Sequence, residues 1–302
     1  MNPCVDVSVE APRVTAGPKI RCERLRRDPG GGGVNVARVI CRLGGRAFAL
    51  FPSGGCVGER LVSLLTAEGV PSLSLPIAEE TRENFTALDR TTGEQFRFVV
   101  AGPRLRSGEW RQLFETISRD PPEILVASGS LPPSAPSDFY GRLARAARAS
   151  GVKLVLDASG AELPKGLAAG VWLAKPNLEE LQTLVGAPLP CLASRRQACN
   201  SLVAAGAATM VALSMGPEGA LLATSTGAWL ARPPELTPAS TIGAGDSFLG
   251  GLIRGLTSGA HPAEALRLAV AAGSAALLAE GTQLCRQKDV SRLRRQVSVS
   301  AI

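Results

Sequence analysis

Histidine is all but missing from this sequence: of 302 residues, one, His261, is a histidine. A His-rich metal site needs several imidazoles and a Ser-His-Asp triad needs one in a reactive setting, so a lone histidine nearly excludes both as the basis of function. His261 stands beside Pro262 ahead of a helical pattern and reads as a surface capping residue. Aromatic residues make up only 4% of the chain, and none is interleaved in a way that would form a stacking platform for single-stranded nucleic acid. The arginine runs at Arg24–Arg27 and Arg292–Arg295 therefore read as solvated faces, and no nucleic-acid partner is expected. No C-x-x-C spacing occurs among the seven cysteines, an odd and scattered set; that argues against zinc and against a disulfide framework. Every apolar run is broken by charge, Gly or Pro before it reaches membrane-spanning length, so no membrane association is expected. The first residues, MNPCVDVSVE, lack the apolar stretch of a targeting signal, and the expected compartment is the cytoplasm.

What is present is a large, ordinary core composition, 45% hydrophobic and 20% charged, enough for one sizeable α/β domain. The net charge of +7 suits an anionic small substrate. Apolar strand-like runs alternate with helix-like ones. Strands are expected at Ala47–Phe51, Ile124–Ser128, Val152–Leu156, Val171–Ala174 and Thr209–Ser214. Helices are expected at Val36–Leu43, Glu59–Glu68, Phe139–Ala149, Glu179–Leu184, Ser194–Ala205, Asp246–Leu256 and Pro262–Leu278. This order implies a mostly parallel sheet covered on both faces. Asp6–Arg26 and Thr81–Val100 instead alternate polar with apolar residues and carry turn chemistry at Thr92-Gly93. They read as antiparallel strands with one wet face, a small β-lid on the sheet domain.

Four motifs carry chemistry. Pro29-Gly30-Gly31-Gly32-Gly33-Val34-Asn35 places glycines before a helix, where a ligand can approach the backbone and the helix N-terminus favours an anion. It is neither a Walker A loop, which needs Lys-Ser/Thr after the glycines, nor a dinucleotide fingerprint. A plain surface turn remains open from this motif alone. Thr241-Ile242-Gly243-Ala244-Gly245-Asp246 opens a long helix; the amides at its tip can hold developing charge on a phosphoryl group, and Asp246 is placed to accept a proton from a hydroxyl. An Asp serving only as a helix cap is the alternative. Lys175-Pro176-Asn177-Leu178-Glu179-Glu180 follows a strand, and its carboxylate can hold Mg²⁺ through waters, or can simply complete a capping box. Ser214-Met215-Gly216-Pro217-Glu218-Gly219 suits a turn near a nucleotide, or an ordinary hairpin.

In this order and on these elements, the four motifs resemble the PfkB carbohydrate-kinase (ribokinase-like) family over essentially the whole chain. The stretches GGGGVNVARVICRLGG, GEQFRFV, SGSLPP, KPNLEEL and AAGSAALLAEGTQLC are similar to the members acting on fructose 6-phosphate. Gly32 stands where many related phosphosugar kinases carry Lys. The resemblance implies a three-layer α/β/α domain over residues 1–302, with lid strands from about 4–26 and 81–100 that also make a homodimer contact. It implies transfer of the γ-phosphoryl of ATP to the C1 hydroxyl of fructose 6-phosphate. Asp246 would be the base, and Gly243, Ala244 and Gly245 the anion hole. Asp6, Gly31, Gly32, Asn35 and Ser130 would bind the sugar, with Lys19 (across the dimer) and Arg82 on its phosphate. Lys175, Asn177, Ser214, Gly216, Gly219, Thr241, Gly273 and Ser274 would line the ATP site, and Glu180 would organise Mg²⁺. Two departures stand out. The family's strand ahead of the Asn-Pro-x-x-Asp segment is missing or shortened. Ala279 and Gln283 replace Asn and Arg near a region that shapes a monovalent-cation site, which leaves K⁺ dependence open. Tagatose 6-phosphate or fructose 1-phosphate kinases, and a catalytically impaired sugar- or nucleotide-binding relative, are the alternatives.

Overall fold

The computed structural model describes residues 1–17 and 19–302. The chain opens with strands β1 (Cys4–Ala11) and β2 (Glu23–Gly30). It continues through helix α1 (Gly32–Arg42), β3 (Ala49–Ser53), α2 (Gly55–Ala67), β4 (Ser72–Pro76), β5 (Arg82–Asp89) and β6 (Gln95–Phe98). There follow α3 (Ser107–Arg119), β7 (Ile124–Ser128), α4 (Phe139–Ala149), β8 (Lys153–Asp157), α5 (Glu162–Leu167), β9 (Val171–Ala174), α6 (Leu178–Val185), α7 (Leu192–Ala204) and β10 (Ala208–Ser214). Strands β11 (Ala220–Thr224) and β12 (Gly227–Arg232), helices α8 (Ala244–Thr257), α9 (Pro262–Leu277) and α10 (Gln287–Arg294), and β13 (Ser298–Ala301) complete it.

Seven strands form one mixed sheet in the order β13-β12-β11-β10-β9-β8-β7. From β7 to β10 neighbours run parallel; from β10 outward they run antiparallel. The parallel strands read as unbroken apolar runs because both faces are covered. Leu154, Val155 and Leu156 are all buried. One core lies on the side of α4 and α5, with Tyr140, Leu143 and Leu163. The other lies on the side of α1, α8 and α9, with Val36, Leu249 and Leu266. This is the expected α/β/α layering. No helix among the described residues is long and apolar enough to cross a membrane.

The lid is a four-stranded sheet, β2-β1-β5-β6. Its two outer pairs are antiparallel, as expected, but β1 and β5 run parallel from Cys4/Arg82 to Ala11/Asp89. Alternation along a strand fixes which face is wet; it does not fix the direction of a neighbour eighty residues away. Helix α1 also starts earlier than Val36: Gly31 precedes it, and Gly32 and Gly33 form its first turn. The glycine run is thus a strand end joined to a helix start, with hardly any loop between. Strands β3 and β4 pair only with each other, in parallel. Helix α1 packs against both β3 and β7, yet no described strand bonds the outer edge of either. Ile124, Leu125 and Val126 of β7 are accordingly only half-buried, while their partners on β8 are buried or end-exposed.

The arginine runs are largely partnered by acids. Arg24 meets Glu10 and Arg26 meets Asp28; Arg292 meets Asp289 and Arg294 meets Glu264. His261 caps α9, its Nδ1 accepting from the Ala263 amide at 3.3 Å. All seven cysteines are free.

Candidate active site

Ligands of open α/β sheets bind outside the carboxyl ends of the strands, and the predicted residues gather there. Helix α8 begins after Gly243, whose φ of 74° lies in the left-handed region and where a Cβ would stand 2.6 Å from Leu284 Cδ2. Glycine is therefore needed for the turn. Ala244, Gly245 and Asp246 occupy the first three helical positions, whose N–H groups have no partner within a helix. The Asp246 side chain does not cap this helix. It accepts instead from Asn35 Nδ2 of α1 at 2.8 Å, which disposes of the cap reading. Burial pushes the Asp246 carboxyl up to about 7 from its ordinary 3.8; Asp157 and Asp6 add to the rise, while Asn35 and Lys175 oppose it. A carboxylate poised near neutrality is suited to general-base work.

On the sheet side, Lys175 follows β9 and pairs with Asp157, the last residue of β8, at 2.9 Å. Burial alone would lower the Lys175 pKa, but the charge and hydrogen bond of Asp157, helped by Glu180 and Asp246, raise it, so the ammonium stays charged. Ser128 Oγ, at the end of β7, donates to the other Asp157 oxygen at 2.9 Å. Asn177 and Glu180 form a reciprocal capping box at the start of α6. That leaves the second Glu180 oxygen free. The Glu180 carboxyl is raised, first by burial and then by Asp157 and Glu179, against the pull of the Asn177 amide and Lys175. One free carboxylate oxygen, with water and phosphate completing the shell, is the donor set Mg²⁺ usually takes. No group of three acid, His or Cys side chains is seen among the described residues, and Mg²⁺ does not need one.

Ser214 ends β10 and is bridged to Asn177. Gly216 and Gly219 lie in the one-turn connection from β10 to β11, so the Ser-x-Gly-x-x-Gly motif is also a hairpin. Thr241 is exposed on the approach to α8. Gly273 on α9 lies where a Cβ would come 3.3 Å from the Ala244 carbonyl, and Ser274 beside it is buried. Gly273 thus lies against the first turn of α8. Asp6 and Arg82 stand on the lid. Asp6 on β1 accepts from Asn84 Nδ2 at 3.0 Å and from the Cys4 thiol at 3.3 Å. Burial, then the charge of Asp6, push the Cys4 thiol up, so it remains a protonated donor. Arg82 spans Val100 O and Asn2 O with its two terminal nitrogens, and its Nε is buried without a partner. Ser130 receives the Asn2 amide at 3.3 Å. Gly31 and Gly32 approach closely: a Cβ on Gly31 would stand 3.0 Å from Pro3 Cα, and one on Gly32 would stand 2.4 Å from Ser128 Oγ.

Lys19 is not brought in. It is exposed on the loop between β1 and β2, with no ion pair to a described residue. Conversely, Asp157, Ser128, Asn84 and Cys4 take part without having been expected. The end of a strand in a parallel sheet was the available signal for Asp157 and Ser128; Cys4 and Asn84 gave none.

The model of the family described as pfkB family carbohydrate kinase matches residues 1–289. The chain is 41% identical to the ATP-dependent 6-phosphofructokinase isozyme 2 of Escherichia coli (strain K12), over 97% of this chain and 96% of that protein. Two crystal structures of the phosphofructokinase-2 of Escherichia coli superpose closely. The one in complex with fructose-6-phosphate has a TM-score of 0.93 at 39% identity, and the one in complex with potassium 0.94 at 40%; each comparison covers 98% of this chain and 96% of the other.

Proposed function

Because the chain belongs to the pfkB family of carbohydrate kinases, we propose that it transfers the γ-phosphoryl group of ATP to the C1 hydroxyl of fructose 6-phosphate, giving fructose 1,6-bisphosphate. The observation that carries this reading is the pair at the tip of α8: a carboxylate near neutral pKa, oriented by an amide, directly behind unpaired backbone N–H groups. Phosphoryl transfer asks the protein for positioning and charge neutralisation rather than covalent chemistry. Asp246 takes the proton from the sugar hydroxyl as it attacks. The amides of Ala244, Gly245 and Asp246 receive the charge spread over the moving phosphoryl oxygens. Lys175 holds a fixed positive charge on the ATP side, where Asn177, Ser214, Gly216, Gly219, Thr241, Gly273 and Ser274 shape the nucleotide site. Glu180 would hold Mg²⁺, which supplies neutralisation of the phosphate oxygens when bound. Asp6, Gly31, Gly32, Asn35 and Ser130 bind the sugar. The half-buried guanidinium of Arg82, held by the Val100 and Asn2 carbonyls, supplies a fixed positive charge for its 6-phosphate. K⁺ is proposed as an activator on the strength of the potassium complex of the relative.

A coupled assay over fructose 6-phosphate, tagatose 6-phosphate and fructose 1-phosphate with ATP and Mg²⁺ tests the assignment. Fructose 6-phosphate is expected to be turned over with by far the highest kcat/KM. Equal or better turnover of fructose 1-phosphate would refute the choice of substrate, and ATP binding by calorimetry without transfer would show an impaired relative.

The working form is a homodimer joined through the lid. Leu25, Phe85, Phe98, Val99 and Val100 are each 39–64% exposed on or just beyond its strands, and Phe85 stands opposite Phe98 with ring centroids 6.3 Å apart. Apolar patches of this kind mark interfaces. The same contact would carry the exposed Lys19 to a second copy's sugar site. Phe98→Glu is expected to shift the protein from dimer to monomer in sedimentation velocity and to raise the KM for sugar phosphate; an unchanged sedimentation coefficient argues against the lid as the interface. A cytoplasmic location suits an enzyme that consumes ATP and keeps seven free thiols.

A further inference from the structure

We propose that Arg38 of helix α1 is a positioning residue for phosphoryl transfer, fixing the amide of Asn35 so that its NH₂ group, and not its oxygen, faces the carboxylate of Asp246. The inference rests on Asp246 being the base. Arg38 has no exposed surface, which is rare for arginine. It lies three residues after Asn35, on the same face of α1. Its Nη1 donates to Asn35 Oδ1 at 2.9 Å and to the Pro29 carbonyl at 2.6 Å; its Nε and Nη2 form a fork on Glu68, the residue that closes α2. Glu68 is also held by Arg42. Burial raises the Glu68 carboxyl, but the two arginines overcome it and hold the group below its ordinary value, so the partner of Arg38 is charged.

The direction of the chain follows from donor chemistry. A guanidinium only donates, an ionised carboxylate only accepts, and an amide does one at each end. With Asn35 turned over, its NH₂ would face the donors of Arg38 and its oxygen would face Asp246; both contacts would be repulsive. The sequence Glu68, Arg38, Asn35, Asp246 therefore admits one orientation of the amide. The second Asn35 bond, Nδ2 to Asp246 Oδ2 at 2.8 Å, then pins one carboxylate oxygen and leaves the other for the substrate hydroxyl. The scaffold is stiff at this point: a Cβ on Gly250 of α8 would sit 2.6 Å from Val39 Cγ1 of α1, so the two helices are in near-backbone contact. The other charged groups around Asp246 are Asp6 from β1, Asp157 from β8 and Lys175 after β9; none of them touches Asn35.

Arg38→Lys keeps the charge and loses the fork. It is expected to lower kcat at pH 7 by about tenfold or more, since small misplacements of a reacting group carry penalties of that size, with the KM for ATP unchanged. The rising limb of the kcat–pH profile is expected to move to higher pH, because the hydrogen bond that favours ionised Asp246 is weakened; activity recovers toward pH 9. Glu68→Gln leaves Arg38 in place and is expected to lower thermal stability while leaving the limb where it is. If Arg38→Lys fails to accumulate as folded protein, Asn35→Asp replaces it. There Arg38 pairs with the new carboxylate, which turns its second oxygen on Asp246 and drives the limb upward. A folded Arg38→Lys, or the substitute Asn35→Asp, whose limb coincides with that of the wild type would overturn the proposal. Asp246→Asn in the same assay separates the two levels. If it is inactive while the limb stays unmoved in the variant, only the role of Arg38 fails; if it is fully active, the reading of the base fails first.

Discussion

Asp246→Asn is expected to bind ATP as the wild type does and to turn over about 10²- to 10⁴-fold more slowly, the usual worth of general-base assistance. The substitution is nearly isosteric and keeps an acceptor for Asn35 Nδ2, so the tip of α8 and its free amides stay in place. What disappears is the basic oxygen. A second, opposite effect distinguishes this from misfolding. The Asp246 carboxyl is raised in the folded protein from 3.8 to about 7. Its contribution favours the folded state below pH 4 and is lost as pH rises through about 7, where a charge is forced into a partly buried cleft. Asn carries no such charge, so the variant should melt higher than the wild type at pH 8, with the difference shrinking toward pH 5. A wild-type rate for this variant would remove Asp246 from the mechanism, and a lower melting temperature at pH 8 would remove the argument about its burial.

Gly32→Ala, a single added methyl group, is expected to raise the KM for sugar phosphate about tenfold or more while changing the KM for ATP little; Gly32→Lys should be worse. A Cβ on Gly32 would lie 2.4 Å from Ser128 Oγ and 3.0 Å from both Gly129 N and Ser128 C. The hydroxyl could rotate away only by abandoning Asp157, and the backbone atoms close β7, which is held in register on β8. The methyl group must therefore push α1 outward. Overpacking of this kind is worth roughly 1–3 kcal/mol, and α1 carries Asn35, proposed above to bind the sugar. Steady-state kinetics against both substrates reads the split directly. An unchanged sugar KM would mean that the first turn of α1 does not line the sugar site.

How far the sequence spoke depended on how local each signal was. The turn into α8 was legible because glycines, alanine and acid lie within four residues, and the physics of a helix tip needs nothing from elsewhere. The capping pair Asn177 and Glu180 was legible for the same reason, whereas Lys175 was expected by resemblance and its partner Asp157 lies on another strand. Arg38 was silent: an arginine inside a helix is ordinarily a solvated one, and only Glu68, thirty residues further on, makes its burial possible. The parallel pairing of β1 with β5 was hidden because periodicity of two carries no sense of direction. Helix α3 carries Trp110, Leu113, Phe114 and Ile117 at helical spacing and was still not among the expected elements; its pattern was available. Lys19 was expected by resemblance alone, and within one chain no neighbouring geometry draws it to the cleft.

The interrupted layer between β3 and β7 has a mechanical consequence. Those two strands share no backbone hydrogen bonds and meet only through side chains, those of α1 and of the core that holds Leu50 and Ala127, so the molecule has a seam, with Ser128 at the end of one bordering strand. Partial opening under heat or denaturant should begin there, where no strand-to-strand hydrogen bonds cross. Catalysis should then fade before the bulk of the helices melt, and the bared borders of two short strands would be the first place where neighbouring molecules adhere.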